Sequence, residues 1–367
     1  MTRSDDAQWM ARALSLGARG LGQVWPNPAV GCIVVKDQRV VGRGWTQPGG
    51  RPHAEAIALA QAGEAARGAT AYVTLEPCAH HGKTPPCADA LVTAGVARVV
   101  TALEDPDPRT AGQGIARLSA AGIFCETNVL PDAARRAHAG FLSRVERGRP
   151  LLTLKLASSF DGRIATASGE SKWITGPAAR HAVQGLRASH DAVLVGAGTA
   201  RADDPALTLR GYGERRSPVR VIISRRLDLP TESQLARTAR NVPLWLCHGP
   251  DAPDDRRVAW AKAGADLIEV PLGQDRHPDP AAMLQLLGAR GLTRVLCEGG
   301  GMLAASLIVA DLPDQLVGFT AGLALGAEGQ PAIGPLGLAA LSEARRYVLE
   351  GTCKIGPDLM AVWDRRR

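Results

Sequence analysis

Residues 52–87 read PHAEAIALAQAGEAARGATAYVTLEPCAHHGKTPPC, and four of them decide how the first part of the chain is built: His53, Glu55, Cys78 and Cys87. One imidazole and two thiolates can fill three tetrahedral positions around Zn²⁺ and leave the fourth for water. A metal in such a site lowers the pKa of that water. A carboxylate that is not itself a ligand, here Glu55, can then carry the proton to a leaving ammonia. The set therefore points to hydrolytic deamination of a nucleobase-like ring, with His53, Cys78 and Cys87 as metal ligands and Glu55 as the catalytic acid–base.

The spacing has a local logic. Residues two apart on a regular helix point to nearly opposite sides, so His53 and Glu55 cannot share a site from mid-helix. Pro52 followed by HAEAIALAQA instead puts the pair in a first turn, where His53 is free of helical angles. Cys87 follows Pro85-Pro86 and opens a second apolar helix, CADALVTA, whose first N–H groups favour the thiolate form that zinc requires.

Working outward, strand and helix patterns alternate. A helix is expected over about Asp5–Arg19, strands over AVGCIVV from Ala29 and over RVVGRGW, then ATAYVTL, ARVVTAL, a helix near Gly114–Ala120, and an Arg/Ala-rich helix. The run Glu146-Arg147-Gly148-Arg149-Pro150 reads as a linker between domains 1–147 and 148–367. Beyond it, the strands LLTLKLA, DAVLVGAG, PVRVIIS, VPLWLC, ADLIEV, RVLCEGG and DQLVGFTA alternate with helices near Pro177–Ser189, over AAMLQLLGAR and from Met302, and a last strand covers Asp358–Trp363. Such alternation predicts a mainly parallel sheet covered on both faces.

The 367 residues exceed one typical core. Seven scattered cysteines, an odd number, argue against a disulfide framework. The N-terminal segment is charged and amphipathic without a signal-peptide core, and no run approaches a membrane span, so the expectation is a cytoplasmic enzyme. The net charge of +7 favours anionic partners. With dispersed arginines and only four Phe and three Tyr, the stripe of basic and aromatic residues that reads nucleic acid is missing, and phosphorylated small molecules fit better.

Eight residues, AHHGKTPP, separate the two cysteines, where nucleotide and tRNA deaminases usually have two. With PNPAVGC, HAE and TLEPCAHHGKTPPC, the first part resembles the deaminase half of the bifunctional riboflavin-biosynthesis deaminase–reductases. Within the insert, His80, His81, Lys83 and Thr84 offer donors beside the metal for a ribose phosphate, or form a solvated loop. Asn27 offers paired bonds to a pyrimidine amide edge, or simply a turn between two prolines. Substrate binding is expected at Asn27, His81 and Lys83. Asp105 and Asp107 share the ambiguity, and Glu76 reads as a structural acceptor.

The resemblance continues through TLKLASSFDGRIATASGESKWIT, GAGTARADDPALTLR and CEGGGMLAASL into the reductase half, weakest between about Gly211 and Pro280. It implies an N-terminal cytidine-deaminase-like α/β/α domain followed by a dihydrofolate-reductase-like α/β domain. By motif matching it places NADPH at Ala157, Trp173, Thr199, Asp203, Ser224 and Gly300, Gly301, Met302, Leu303, Ala304, Ala305 and Ser306. It places the phosphorylated substrate at Ser171, Arg187, Leu207, Arg210 and Glu298, where Arg187 and Arg210 make chemical sense as phosphate clamps. Independently of the family, Cys297-Glu298-Gly299-Gly300-Gly301 lies between a strand and a helix, either a phosphate-binding turn or a tight structural one. Ser224-Arg225-Arg226 ends a strand, either gripping the extra phosphate of NADP or solvated. Lys155, a charge in mid-strand, requires a partner. Lys155 and Asp203 are assigned to the catalytic neighbourhood. A homo-oligomer is expected. The rival readings are a nucleotide or tRNA deaminase with an accessory domain, which the insert disfavours, and a zinc-stabilised nucleic-acid module, which would need a fourth protein ligand.

Overall fold

The computed structural model describes residues 3–79, 85–108 and 110–366. The chain forms two compact units, Met1–Gly148 and Arg149–Arg367.

In the first unit, α1 (Arg3–Gly17) precedes a hairpin of β1 (Gly31–Lys36) and β2 (Arg39–Trp45). Then come α2 (Ala54–Ala62), β3 (Thr70–Val73), α3 (Cys87–Ala94), β4 (Arg98–Thr101), α4 (Gln113–Ala120), β5 (Phe124–Glu126), α5 (Pro131–Ala137) and α6 (Ala139–Arg147). The strand order is β2-β1-β3-β4-β5, antiparallel up to β3 and parallel from there to β5.

Two glycines of β2 seat α2 on this sheet. Ala54, Ala58 and Ala62 recur every four residues along α2, and all three are buried. Gly42 and Gly44 pair with Val34 and Cys32, so all four residues share that face. A Cβ on Gly44 would stand 2.3 Å from the Ala54 carbonyl oxygen, and one on Gly42 would stand 2.1 Å from that of Ala58. Helix backbone thus rests directly on strand backbone, which fixes the height of the His53 turn. Gly31 lies on the opposite face against Ala13 of α1, so helices cover both sides.

The second unit begins with β6 (Leu151–Ser159), β7 (Arg163–Ala165), α7 (Pro177–Ala188), β8 (Ala192–Gly196), α8 (Ala197–Asp203), β9 (Val219–Ile223) and α9 (Gln234–Arg237). It continues with β10 (Leu244–His248), α10 (Asp254–Ala263), β11 (Asp266–Glu269), α11 (Pro280–Ala289), β12 (Arg294–Cys297) and α12 (Gly301–Val309), and ends with β13 (Gln315–Ala321), β14 (Gln330–Pro331), β15 (Tyr347–Ile355) and β16 (Asp358–Arg365). Nine strands run β11-β10-β9-β8-β12-β6-β13-β16-β15. Those from β11 to β13 are parallel, and the final hairpin is antiparallel. Unbroken apolar runs such as LWLC in β10, buried at every position, are what a parallel sheet shielded on both faces requires.

The expected linker is structured. Glu146 and Arg147 complete α6, and Gly148 caps it in the left-handed region. Arg149, only 9% exposed, reaches both carboxylate oxygens of Asp314 at 2.7 and 3.0 Å. Glycine and proline mark the joint, but the arginine between them is an anchor of the second unit.

Candidate active sites

In the first unit, β3 delivers its chain into the segment Thr74–Cys78 at the C-terminal end of the parallel strands, the usual site of chemistry in such sheets. His53 is the N-cap of α2, with extended angles (φ −70, ψ 161). Its imidazole therefore turns back over the helix start, while Glu55 occupies the first turn. Cys87 is the first residue of α3, after Pro86. His53 Nδ1 lies 3.2 Å from Cys87 Sγ and 3.7 Å from Cys78 Sγ. The backbone N–H of Cys87 donates to Cys78 Sγ at 3.2 Å, as expected of a helix start beside a thiolate.

Hydrogen bonding from the Cys87 thiol, helped by that N–H, holds the Cys78 thiol down to about 4. The same pairing pushes Cys87 far up, because a second thiolate would sit beside the first. A divalent cation removes that conflict. Its candidate ligand atoms lie within 4.8 Å of one another, and the donor set of two sulfurs and one nitrogen suits zinc with one position left for solvent. Glu55, 4% exposed, has its carboxyl pushed up to about 6, chiefly by burial.

Asn27 belongs to a loop packed on the segment leading to His53. Gly50, at φ +85, leaves the space that Asn27 Nδ2 fills, since a Cβ there would approach it to 1.9 Å. His81 and Lys83, like His80 and Thr84, lie outside the described residues. Glu76, one residue from Pro77, accepts from the backbone N–H groups of Asp105, Gly112, Gly114 and Ile115. It ties β3 to the start of α4 and has no capacity left for chemistry. Asp105 accepts from the N–H of Asp107 within the same turn.

In the second unit, the register that sets Cys297 opposite Leu154 places Glu298 beside Lys155. Lys155 Nζ is 3.7 Å from Glu298 Oε2, which explains a charge in mid-strand. Arg187, in the last turn of α7, grips Glu298 through Nε (2.6 Å) and Nη2 (3.1 Å) and donates from Nη1 to the Thr208 carbonyl. Burial pushes the Glu298 carboxyl up, but Lys155 and Arg187 outweigh it and hold the group below the usual range. Two cations against one carboxylate leave a positive balance at the strand ends, suited to an anionic substrate. Leu207 is buried, whereas Arg210 is exposed, its backbone N–H bonded to Gln184. Asp203 is exposed at the end of α8, and Ser171 lies two residues before Trp173 in the loop ahead of α7.

The cofactor expectations separate into groups. Ser224, Met302, Leu303, Ala305 and Ser306 line one cavity of about 1020 Å³, at the upper end of the roughly 300–1,000 Å³ typical of ligand pockets. Gly300 is the N-cap of α12, and its N–H donates to Thr199 Oγ1 at 3.1 Å, holding α8 against that helix start. Ala304 is fully buried and faces the core. Ala157 lies in β6 opposite Phe319, and Trp173 lines a separate 390 Å³ hollow with Arg180 stacked 4.5 Å over its ring. Ser224 Oγ is already bonded to Asp228 at 2.9 Å. Arg201, Arg256 and His277 also line the large cavity and were not foreseen. They come from helix and loop positions with no periodic signature.

Comparison with known proteins follows the same division. Residues 3–103 match the family model for the cytidine and deoxycytidylate deaminase zinc-binding region, and residues 150–361 match that for the RibD C-terminal domain. The riboflavin biosynthesis protein RibD of Escherichia coli is 41% identical, over 96% of this chain and 98% of its own. A structure of Acinetobacter baumannii RibD superposes with a TM-score of 0.90 at 38% identity and covers both chains completely. The Thermotoga maritima diaminohydroxyphosphoribosylaminopyrimidine deaminase/5-amino-6-(5-phosphoribosylamino)uracil reductase does so at 0.86, with 32% identity and 99% of each chain covered. Among the described residues, no helix is long and apolar enough to cross a membrane.

Proposed function

The chain belongs to the RibD family of bifunctional deaminase–reductases of riboflavin biosynthesis, and from that premise we propose which residues carry each reaction on small pyrimidine substrates. The first unit hydrolyses the amino group of 2,5-diamino-6-(5-phosphoribosylamino)pyrimidin-4-one. The second reduces the ribosyl side chain of the product to ribityl, giving 5-amino-6-(5-phosphoribitylamino)uracil. The observation that carries the reading is the convergence of His53, Cys78 and Cys87 around one point, with buried Glu55 two residues from the imidazole.

When bound by His53, Cys78 and Cys87, zinc supplies the Lewis acidity that makes a coordinated water acidic near neutral pH. Glu55, with its carboxyl near 6, takes the proton from the water that attacks the ring carbon and gives it to the exocyclic amino nitrogen as the bond between them breaks and ammonia leaves. Asn27, His81 and Lys83 hold the pyrimidine and its phosphoribosyl arm. In the second unit, NADPH supplies the hydride. The chain positions it with Thr199, Ser224 and residues 300–306, completed by Ala157, Trp173 and Asp203. Arg210 and Ser171 hold the substrate phosphate, Leu207 its ring, and the Arg187–Glu298 pair fixes Lys155, which with Asp203 faces the reacting carbon. The enzyme works in the cytoplasm as a homo-oligomer and does not bind nucleic acid.

The test is stepwise turnover. Supplied with the diaminopyrimidinone phosphate and no NADPH, the protein should release one ammonia per substrate and stop at the ribosylaminouracil. Adding NADPH should then consume one equivalent. Ammonia release that required NADPH, or salt-sensitive binding to DNA or RNA, would count against the assignment.

A further inference from the structure

The loop that follows Leu207 is fastened along one stripe of α7. Positions 181, 184, 185 and 188 recur at the three- and four-residue spacing that brings neighbours onto one helix face. The Gln184 amide oxygen accepts the backbone N–H of Arg210 at 2.9 Å, and the Ala188 carbonyl accepts from Arg215 Nη2 at 3.0 Å. Arg187 donates from Nη1 to the Thr208 carbonyl while Nε and Nη2 grip Glu298. One guanidinium thus ties the loop to the carboxylate that pairs with Lys155.

The outer end of the loop reads Gly211-Tyr212-Gly213, and both glycines lie in the left-handed region, at φ +77 and +61. Open space surrounds each, so it is the backbone turn that requires glycine there. These turns fold Tyr212 back onto α7. Its ring lies over the His181 imidazole, with centroids 6.1 Å apart and planes 21° from parallel, as in offset stacking. Its hydroxyl reaches the helix backbone at Gly185, where a Cβ would stand 3.0 Å from that oxygen. Gly185 sits inside a 12-residue helix, a place where glycine weakens the helix relative to alanine. The tyrosine seated on it accounts for the bare position.

Arg210 stands between the Gln184 bond and this seat, with its side chain exposed. The direction in which its guanidinium leaves the loop is therefore set by Tyr212, two residues on. We propose that Tyr212 is a positioning residue of the reductase: seated on His181 and Gly185, it holds Arg210 at the angle that meets the substrate phosphate. This rests on the reading of Arg210 as a phosphate clamp.

Steady-state NADPH oxidation by the full chain on the deaminated ribosylaminouracil phosphate tests both layers. Arg210→Ala should raise KM for that substrate at least about tenfold, the scale of one charge-assisted hydrogen bond. Tyr212→Leu and Gly185→Ala should each raise it about two- to tenfold, the scale of one aromatic contact, with kcat and KM for NADPH within about twofold of wild type. Tyr212→Phe keeps the ring and should behave as wild type. Combined with Gly185→Ala it should restore the substrate KM, because the oxygen that the new methyl meets is gone. Gly185→Ala should melt no lower than wild type, since alanine favours the helix, so its loss of substrate affinity cannot come from unfolding. If Arg210→Ala raised KM while Tyr212→Leu and Gly185→Ala did not, the positioning role would be overturned and the phosphate clamp would stand. Equal rises in KM for substrate and NADPH, or no rescue in the double variant, would also overturn it. A wild-type KM in Arg210→Ala would bring down the clamp and the proposal with it.

Discussion

Glu55 and Glu76 are both buried carboxylates close in sequence to a candidate zinc ligand, and only their surroundings tell them apart. Glu55 has its carboxyl lifted to about 6 by burial and lies beside His53 and Cys87. Glu76 satisfies backbone N–H groups around the start of α4. Glu55→Gln should therefore keep its zinc and its melting temperature while losing about 10²–10⁴-fold in deamination. Glu76→Ala should do the reverse, keeping turnover in the folded fraction. It loses about 1–3 kcal/mol of stability for the N–H groups left unpaired. Metal analysis, ammonia release and thermal melts on the two variants separate the roles, and equal effects would mean the assignment is wrong. At this scale the clustering of His53, Cys78 and Cys87 with a buried Glu55 was legible, because proline-led cysteines and a helix-opening His-Ala-Glu are local patterns. The commitments of Arg187 to Glu298 and of Asp228 to Arg201 were not, because those partners lie 111 and 27 residues away in sequence.

At the scale of the element, the packing of α2 on β2 decides whether the metal site exists. Gly42 and Gly44 were read as part of an ordinary strand. Their function depends on which helix lies above them, and no periodicity shows that. Gly44→Ala would drive a methyl into the Ala54 carbonyl oxygen, 2.3 Å away, so α2 must lift and carry His53 with it. The expected result is weakened zinc affinity together with a loss of about 1–3 kcal/mol, read by chelator competition and denaturant melts. Gly44 does not lie at positive φ, so the loss comes from that clash and not from backbone strain. Core strands and apolar helices were found within a few residues. The strand β15 escaped because nearly all its side chains are exposed, which removes the alternation that marks a half-buried strand. Charged α10 escaped because only Trp260 is buried along it.

For the whole molecule, each unit has its own sheet and core, and Arg149 with Asp314 anchors the start of the second. We expect a fragment from residue 148 to the end to fold alone and to oxidise NADPH with the deaminated ribosylaminouracil phosphate. A soluble, folded fragment that binds no NADPH would contradict that boundary. The two-part organisation was legible because the hydrophobic pattern restarts at Leu151 with a second run of strands. The boundary between the two units falls within the run read as a linker, but the burial of Arg149 was not legible because a buried guanidinium and a solvated one look alike in sequence. The central claim, one chain with two chemically independent centres, is tested most directly by Cys78→Ser in the full-length protein, assayed in parallel for bound zinc, for ammonia release from the diaminopyrimidinone phosphate, and for NADPH oxidation on the deaminated substrate. The account predicts that zinc and ammonia release are lost while NADPH oxidation continues near the wild-type rate. Stoichiometric zinc with intact ammonia release, or loss of NADPH oxidation in the folded variant, would contradict it.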